Sequence, residues 1–311
     1  MPSSTPRATF VVNAHAAGGR TGKRWAACEP KMRAAFPTGE IQFTQGVGDG
    51  ARIAQEAVSR GQELIVAVGG DGTVFEVVNG MMAADARART RARLGIWPAG
   101  SGADFARGAH LPHDPEAVCA LIAKNEPKWV DVGRIQCVDG AGLAVEKYFV
   151  NAADFGIGAK VVERLQKRSR LLPGRSSYLW QSLRTLVTFK NPKVDLDADG
   201  RIQKAATIIT MVVANGRYFG GGMCIAPDAI LDDGILNTVQ VGGLGRIEAM
   251  RKLQETFGGQ RIDHPEVHYS TCKTLHASSL SRVPIEADGE LVGFLPASFE
   301  IMPRALQLLL P

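Results

Sequence analysis

LIVAVGGDGTVFEVVNGMMA, residues 64–83, is the stretch on which the reading of this chain turns. Five apolar residues run straight into Gly69-Gly70-Asp71-Gly72-Thr73, and an apolar-periodic segment follows. The pattern predicts a buried strand, a glycine turn and a helix whose first turn is capped by Thr73. Glycines let backbone N–H groups approach a ligand closely, and a helix N-terminus favours anions, so the turn is a candidate phosphate cradle. Asp71 narrows this further. A carboxylate beside phosphates is repelled unless a cation lies between them, which suggests a nucleotide bound with Mg²⁺. The competing reading is a structural strand-to-helix turn with an incidental Asp.

Working outward, the same punctuation recurs on both sides. Residues 9–12 form a short apolar strand, followed by the glycine-rich loop Asn13 to Lys23 and a helix around residues 25–36. That loop comes close to a P-loop but carries Ala17 where the first glycine belongs and Arg24 where a Ser or Thr would bind Mg²⁺. Asn13, at the strand end, remains a candidate phosphate or ribose contact; a plain surface loop is the alternative. Residues 41–44 are the next strand candidate, and Gly48-Asp49-Gly50 leads into a helix over 51–60. After the central stretch, residues 94–97 form a strand that ends in Pro98-Ala99-Gly100-Ser101-Gly102-Ala103-Asp104-Phe105-Ala106-Arg107, a third glycine turn. A helix over 115–124 follows. Alternating strands and helices imply a parallel sheet with helices on both faces. Ligands in such sheets bind beyond the carboxyl ends of the strands, where these three turns lie.

The texture changes near residue 130. Strand-like segments at 130–136 and 147–150 precede Asn151 to Gly158, read as a polar, glycine-punctuated loop before a helix over 161–167. Residues 178–189 look like an amphipathic helix. Lys160 to Arg175 carries six basic residues against Glu163, either a solvated face or a patch for an anionic membrane. Beyond Pro192, β-type segments dominate at 193–197, 207–214, 235–241, 283–287 and 290–295, with one helix over 246–257. This is a second, largely antiparallel β domain, with no linker at the boundary.

Bulk properties bound the function. The chain has 311 residues, enough for two domains, and 45% apolar against 22% charged residues is ordinary for a globular protein. The net charge of +5 suits acidic partners. Aromatics make up only 6% and no basic–aromatic stripe occurs, so no nucleic-acid partner is expected. There is no signal-peptide pattern and no run long enough to span a membrane. The five scattered cysteines lack a CxxC spacing and read as thiols of a reducing, cytoplasmic compartment. His264 and His268 read as surface or packing residues rather than metal ligands.

Two acidic turns in the second domain could carry chemistry. Asp232-Asp233-Gly234 closes the run Pro227 to Gly234, and adjacent carboxylates in a tight turn can hold a hard cation. Glu286-Ala287-Asp288-Gly289-Glu290 reads as a hairpin with Asp-Gly at its tip. Its functional reading places Asp288 or Glu290 against a substrate hydroxyl, as the base of a phosphoryl transfer.

Taken in order, these motifs resemble the diacylglycerol kinase catalytic-domain family, which includes bacterial lipid kinases and the sphingosine and ceramide kinases. The resemblance rests on GGDGT with Glu76-Val77-Val78-Asn79-Gly80 after it, on Pro98 to Arg107, on Asn151 to Gly158, on Tyr218 to Gly222 with Pro227 to Gly234, on Asp288-Gly289-Glu290, and on the closing Pro303-Arg304-Ala305-Leu306. GGDGT alone is moderately specific, since NAD kinases and phosphofructokinases use similar turns. The resemblance implies an NAD-kinase/diacylglycerol-kinase-like α/β fold. Its N-terminal ATP-binding domain would span 1–129, with roughly 299–311 returning to it, and a C-terminal β-sandwich substrate domain would span 130–298. The active site would lie in the cleft between them. It implies ATP held by Asn13, Thr44, Gly69, Gly70, Asp71, Gly72, Thr73 and Ser101, and Mg²⁺ held by Asp233 with the carbonyls of Ile230 and Ile235. The base would be Glu290, with Asp288 as the alternative.

The implied activity is transfer of the γ-phosphate of Mg-ATP to a lipid hydroxyl, such as that of diacylglycerol, in phospholipid metabolism. A kinase of a soluble hydroxyl such as NAD, and a catalytically weakened nucleotide- or lipid-binding relative, are the alternatives. The lipid would be met at a membrane surface, and peripheral association at the inner face and a homodimer are both compatible with the sequence. The chain departs from the family's usual pattern at Phe75 and Ala103, where relatives carry Asn, and at Ser101, where they carry Thr. Each lost hydrogen bond to a charged phosphate is worth about 1.5–3 kcal/mol.

Overall fold

The structure, a computed structural model, describes residues 6–100, 103–168, 185 and 188–311. The chain divides into two compact units, residues 1–132 with 303–311, and residues 133–302.

The first unit begins with β1 (Ala8–Val12), a 3-10 turn (Ala16–Gly19), α1 (Arg20–Ala35), β2 (Glu40–Phe43) and α2 (Asp49–Ser59). It continues with β3 (Leu64–Gly69), α3 (Asp71–Ala83), the short α4 (Ala86–Arg89), β4 (Arg93–Pro98), α5 (Asp104–Gly108) and α6 (Pro115–Lys124). β1 pairs in parallel with β2 and β3, and β3 with β4, so the expected parallel sheet is formed. The runs chosen as strands are apolar because both faces are covered: every residue of β1 and of β3 is buried. Phe10, Trp25 and Trp97 meet in the core with ring centroids 5.5 and 5.7 Å apart along the chain of contacts.

The second unit is antiparallel. β5 (Pro127–Val138) enters it, followed by β6 (Ala144–Phe149), β7 (Ala152–Gly156), α7 (Ile157–Arg168), β8 (Lys193–Ala198), β9 (Arg201–Thr207) and β10 (Thr210–Ala214). Two short strands, β11 (Tyr218–Phe219) and β12 (Met223–Cys224), precede β13 (Leu236–Val241), α8 (Arg246–Glu255), β14 (Val267–Cys272), β15 (Thr274–Ser278), β16 (Pro284–Ala287) and β17 (Glu290–Leu309). The central order is β14-β13-β10-β7-β16-β17. β17 is 20 residues long; its last residues belong to the first unit, where Gln307 and Leu308 pair in parallel with Arg93 and Leu94 of β4.

Several expectations need correction. Asn151 to Gly158 is not a loop: residues 152–156 form β7, buried throughout, and α7 starts directly after it. Its one charged residue, Asp154, is fully buried and accepts a hydrogen bond from Thr210. β9, β14 and β15 were not anticipated. β9 (RIQKAAT) is exposed at all but one position, so it lacks the alternation that marks a half-buried strand. The expected helix over 178–189 and residues 169–175 of the basic run lie outside the described residues, apart from 185, 188 and 189. Among the described residues, no helix is long and apolar enough to cross a membrane. All five cysteines are buried and unbridged.

Candidate active site

The parallel register brings the ends of four strands into one row. Val12 lies opposite both Phe43 and Val68, and Gly69 opposite Pro98. Asn13, Thr44, the Gly69–Thr73 turn and the turn after Pro98 therefore emerge from the same sheet edge. Backbone bonds tie them together: Asn13 N–H donates to Val68 O (3.0 Å), Thr44 N–H to Val12 O (3.0 Å) and Ala99 N–H to Gly69 O (2.8 Å).

Side chains then interlock the turns. Asn13 Nδ2 donates to Thr73 Oγ1 at 3.1 Å. The helix cap is Gly70 rather than Thr73: α3 starts at Asp71, and Thr73 N–H and Val74 N–H both donate to Gly70 O. Thr73 Oγ1 instead packs where a Cβ on Gly69 would sit, which excludes any side chain at position 69. Gly70 and Gly100 meet backbone to backbone, since a Cβ on Gly70 would lie 3.2 Å from Gly100 Cα. Asp71 accepts hydrogen bonds from the N–H groups of Ala103, Asp104 and Phe105, the start of α5. Its carboxyl is pushed above the ordinary value, first by burial and then by the nearby Asp104 carboxylate; those three N–H groups work in the opposite direction. Asp71 thus ties the second glycine motif to the first, a role that needs no cation.

The loop after β1 holds a further device. Ala17, Gly18 and Gly19 all have left-handed φ (53°, 67° and 83°) and lead directly into the N-terminus of α1. Successive N–H groups in such a turn make an anion-binding concavity. On the other side of α3, Glu76 accepts from Gly48 N–H (2.7 Å) and Gly50 N–H (2.9 Å), placing a carboxylate on the N-terminus of α2. The Glu of the GGDGTVFE run therefore acts as a helix cap. Ser101 lies outside the described residues.

Phe75 and Ala103 are both buried, at 7% and 8% exposure. Ala103 adopts the left-handed conformation (φ 54°, ψ 38°) that Asn tolerates better than Ala. An Asn at this position would have a backbone reason as well as any ligand one.

In the second unit, Asp288 and Gly289 both have positive φ (48° and 88°), and Ala287 pairs with Glu290 across them. This is the two-residue hairpin that Asp-Gly favours. The Asp288 carboxylate is a clamp: Oδ2 accepts from Val150 N–H (3.0 Å), and Oδ1 from Asn151 N–H (3.1 Å) and Ala152 N–H (3.0 Å). Glu290 opens β17 on the far side of the tip and is partly exposed. Beneath the hairpin, Glu286 lies directly opposite Asp154 on β7, an acidic pair that sequence reading missed because the two residues stand in separate motifs over a hundred positions apart.

Asp233 is exposed, and its Oδ1 accepts from Ile235 N–H at 3.2 Å. With the carbonyls of Ile230 and Ile235 it offers only hard oxygen donors, the set that Mg²⁺ takes together with retained waters. Among the described residues no cluster of three or more His, Cys, Asp or Glu side chains is poised for a metal. His264 bonds Glu248 and the Glu266 N–H, as a packing residue would. The second unit also holds a cavity of about 910 Å³ lined by apolar Phe189 and Leu280 together with Lys160, Lys190, Lys193 and Arg282. Such walls use ordinary residues and leave no sequence motif.

Comparison with known proteins places this geometry. Residues 7–135 match the family model described as diacylglycerol kinase catalytic domain, and residues 151–310 that of the YegS C-terminal NAD kinase beta sandwich-like domain. The chain is 30% identical over 280 residues to a diacylglycerol kinase of Staphylococcus haemolyticus, covering 90% of this chain and 80% of that protein. It is 28% identical to the diacylglycerol kinase of Staphylococcus carnosus, covering 90% and 86%. The fold is shared with a diacylglycerol kinase from Bacillus anthracis (TM-score 0.73, 23% identity, 99% and 98% of the two chains). It is shared more distantly with yeast NADH kinase (TM-score 0.55, 9% identity, 98% and 83%). Fold and turns define a kinase of the α/β-plus-β-sandwich class. Within that class, the chain belongs to the diacylglycerol kinase catalytic-domain family.

Proposed function

We propose that this protein is an ATP-dependent lipid kinase that transfers the γ-phosphate of Mg-ATP to a lipid hydroxyl, diacylglycerol or a related lipid. The observation that carries the reading is the row of interlocked turns at one sheet edge, where Gly70 and Gly100 touch backbone to backbone and Asp71 binds the second turn. Backbone N–H groups from Gly69 to Thr73 and from the left-handed turn at residues 17–19 face phosphates, Asn13 and Thr44 flank them, and Ser101 supplies a hydroxyl. The names of the staphylococcal relatives favour diacylglycerol as the acceptor. The cavity lined by Phe189, Leu280 and basic residues suits an amphiphile with an apolar body and an anionic surround, as at a membrane surface.

In this reading Glu290 takes the proton of the acceptor hydroxyl. The hydroxyl oxygen bonds the γ-phosphorus as the bond to the leaving ADP oxygen breaks. Asp288 is the weaker candidate for the base, because three backbone N–H groups occupy its carboxylate. Asp233, with the Ile230 and Ile235 carbonyls, would hold Mg²⁺, whose positive charge offsets that of nearby carboxylates and phosphate. Membrane association is peripheral and the location cytoplasmic.

The test is phosphate transfer from labelled ATP to a panel of lipids in mixed micelles, with NAD beside them. Lipid labelling, lowered about 10²–10⁴-fold in kcat by Glu290→Gln with ATP affinity unchanged, is the expected result. Labelling of NAD alone would overturn the lipid reading. A second reading, a weakened nucleotide-binding relative, is favoured by Phe75 and Ala103; ATP binding without transfer to any acceptor would establish it.

A further inference from the structure

The hairpin that carries Glu290 stands on two carboxyl groups that no step of the proposed reaction uses. Glu286 on β16 and Asp154 on β7 are cross-strand partners, 2% and 0% exposed. Asp154 Oδ2 accepts from Thr210 Oγ1 at 2.7 Å, and Asp154 also accepts from the N–H groups of Gly158 and Ala159 at the start of α7. The packing leaves no slack, since a Cβ on Gly158 would lie 2.6 Å from Asp154 Oδ2. Glu286 Oε2 accepts from Gly289 N–H at 2.8 Å, inside the hairpin tip. Each residue then has one oxygen left, Asp154 Oδ1 and Glu286 Oε1, buried without any N–H or O–H donor from another residue. The two carboxyl groups face each other across the strands within interaction range, and two carboxyl groups can bond to each other only if one carries a proton.

We propose that Glu286 is a positioning residue that carries this proton, donates it to an ionised Asp154, and so fixes the Asp288-Gly289-Glu290 turn to the N-terminus of α7. Asp154 is the natural anion, because it alone receives helix N–H groups and a hydroxyl donor. Glu286 receives one N–H and faces two carboxylates, those of Asp154 and Asp288. The titratable groups on the packed elements do not offset this. β10 carries none; β17 carries Glu290 next to the hairpin tip Asp288, and farther along the strand Glu300, which is paired with Arg134, and Arg304. On α7, Lys160 is paired with Glu163 (2.6 Å) and Arg164 with Thr185 and Thr188. Burial pushes the Glu286 carboxyl well above its ordinary value, the Asp154 charge adds to this, and burial lifts Asp154 to about 6. The inference rests on the reading of Glu290 as the base only for its catalytic consequence; the proton and the tie to α7 stand apart from it.

Sign follows from proton counting. The folded state holds a proton that an unfolded Glu has lost above about pH 4.3. Stability is therefore full in acid below that value, and falls as pH rises towards the folded titration of Glu286. Glu286→Gln keeps the geometry without the proton, since an amide N–H can donate to Asp154 Oδ1 while its oxygen accepts from Gly289.

The experiment uses the full chain. Infrared difference spectra of wild type minus Glu286→Gln should show a protonated carboxylic acid at pH 7; its absence overturns the proposal. Thermal unfolding of the wild type should lose stability as pH rises from about 4.3 towards the folded titration of Glu286, while Glu286→Gln loses less over the same range; parallel profiles overturn it. Hydrogen exchange at the Val150–Ala152 and Gly289 amides should rise at least tenfold in Glu286→Ala and recover in Glu286→Gln; equal exchange in the two variants overturns the positioning role. In the phosphoryl-transfer assay, Glu286→Ala should lower kcat at least tenfold with KM for ATP unchanged, and Glu286→Gln should restore it and remove the alkaline limb of the kcat profile. If the wild type phosphorylates nothing, the function reading fails, and the infrared, unfolding and exchange results still decide this proposal.

Discussion

Ala103 sits at φ 54°, ψ 38°, the left-handed region in which a Cβ crowds the following carbonyl. That conformation costs an ordinary L-residue about 1–2 kcal/mol and is eased by Asn, whose short side chain bonds locally. Ala103→Asn should therefore raise the unfolding free energy by about 1 kcal/mol, read as a higher urea midpoint with unchanged slope. A midpoint that does not move, with a tighter ATP Kd, would instead make phosphate contact the whole effect of Asn at this position. Phe75 behaves oppositely. It is buried, and replacing a core Phe by a small residue costs about 3–5 kcal/mol, so Phe75→Asn should lower the same midpoint. The sequence marks both positions as departures from the family pattern, but it carries no φ angle and no burial. It could not reveal that one departure lies in the backbone and the other in the core. Asp71 shows the same limit: beside glycines it reads as a hint of Mg²⁺, and its partners turn out to be three N–H groups over thirty residues away.

At the scale of elements, close backbone approaches separate the work of the turns from that of the helices. A Cβ on Gly100 would overlap Gly70 Cα and force the two phosphate turns apart. A Cβ on Gly80 would overlap the Ala51 carbonyl and part α2 from α3. Both substitutions to Ala overpack and should cost about 1–3 kcal/mol of stability. Only Gly100→Ala should also weaken ATP binding by the folded protein, by tenfold or more, because only it displaces the turns. Isothermal titration of both variants, well below their unfolding temperatures, checks this; equal ATP affinity would mean that the Gly70–Gly100 contact is packing alone. β1 and β3 were legible because a strand buried on both faces is an unbroken apolar run, and β3 runs straight into glycine. β7 was not, because Asp154 interrupts its run and its cross-strand partner, Glu286, lies over a hundred residues away in sequence. The exposed β9 left no alternation to read.

At the scale of the whole chain, β17 makes the first unit depend on residues that follow the second in sequence. Residues 303–311 carry Leu306, Leu308 and Leu309, each at most 1% exposed, and Leu309 joins the core cluster that contains Phe10 and Trp97. Their backbone extends the parallel sheet beside β4, Arg304 N–H donates to Asp131, and Lys128 Nζ donates to the Pro311 carbonyl. Burying three such leucines is worth about 1.5–3 kcal/mol each, against a typical net stability of about 5–15 kcal/mol for a domain. A chain ending at residue 302 should thus lose most or all of the stability of its first unit. The second unit keeps the hairpin of Asp288 and Glu290, the Asp154–Glu286 pair and its stacked Phe155–Phe299 core (5.6 Å), all of which precede the cut. Hydrogen exchange read by mass spectrometry resolves the two: protection should vanish across residues 8–98 and persist across 210–241 and 284–299. Supplying residues 303–311 in trans as a peptide should restore part of the lost protection, since strand addition needs only the main chain and the three leucines. Persistent protection at β3 and β4 without those residues would mean that the four remaining parallel strands carry the unit alone, and that the returning strand contributes edge coverage rather than core.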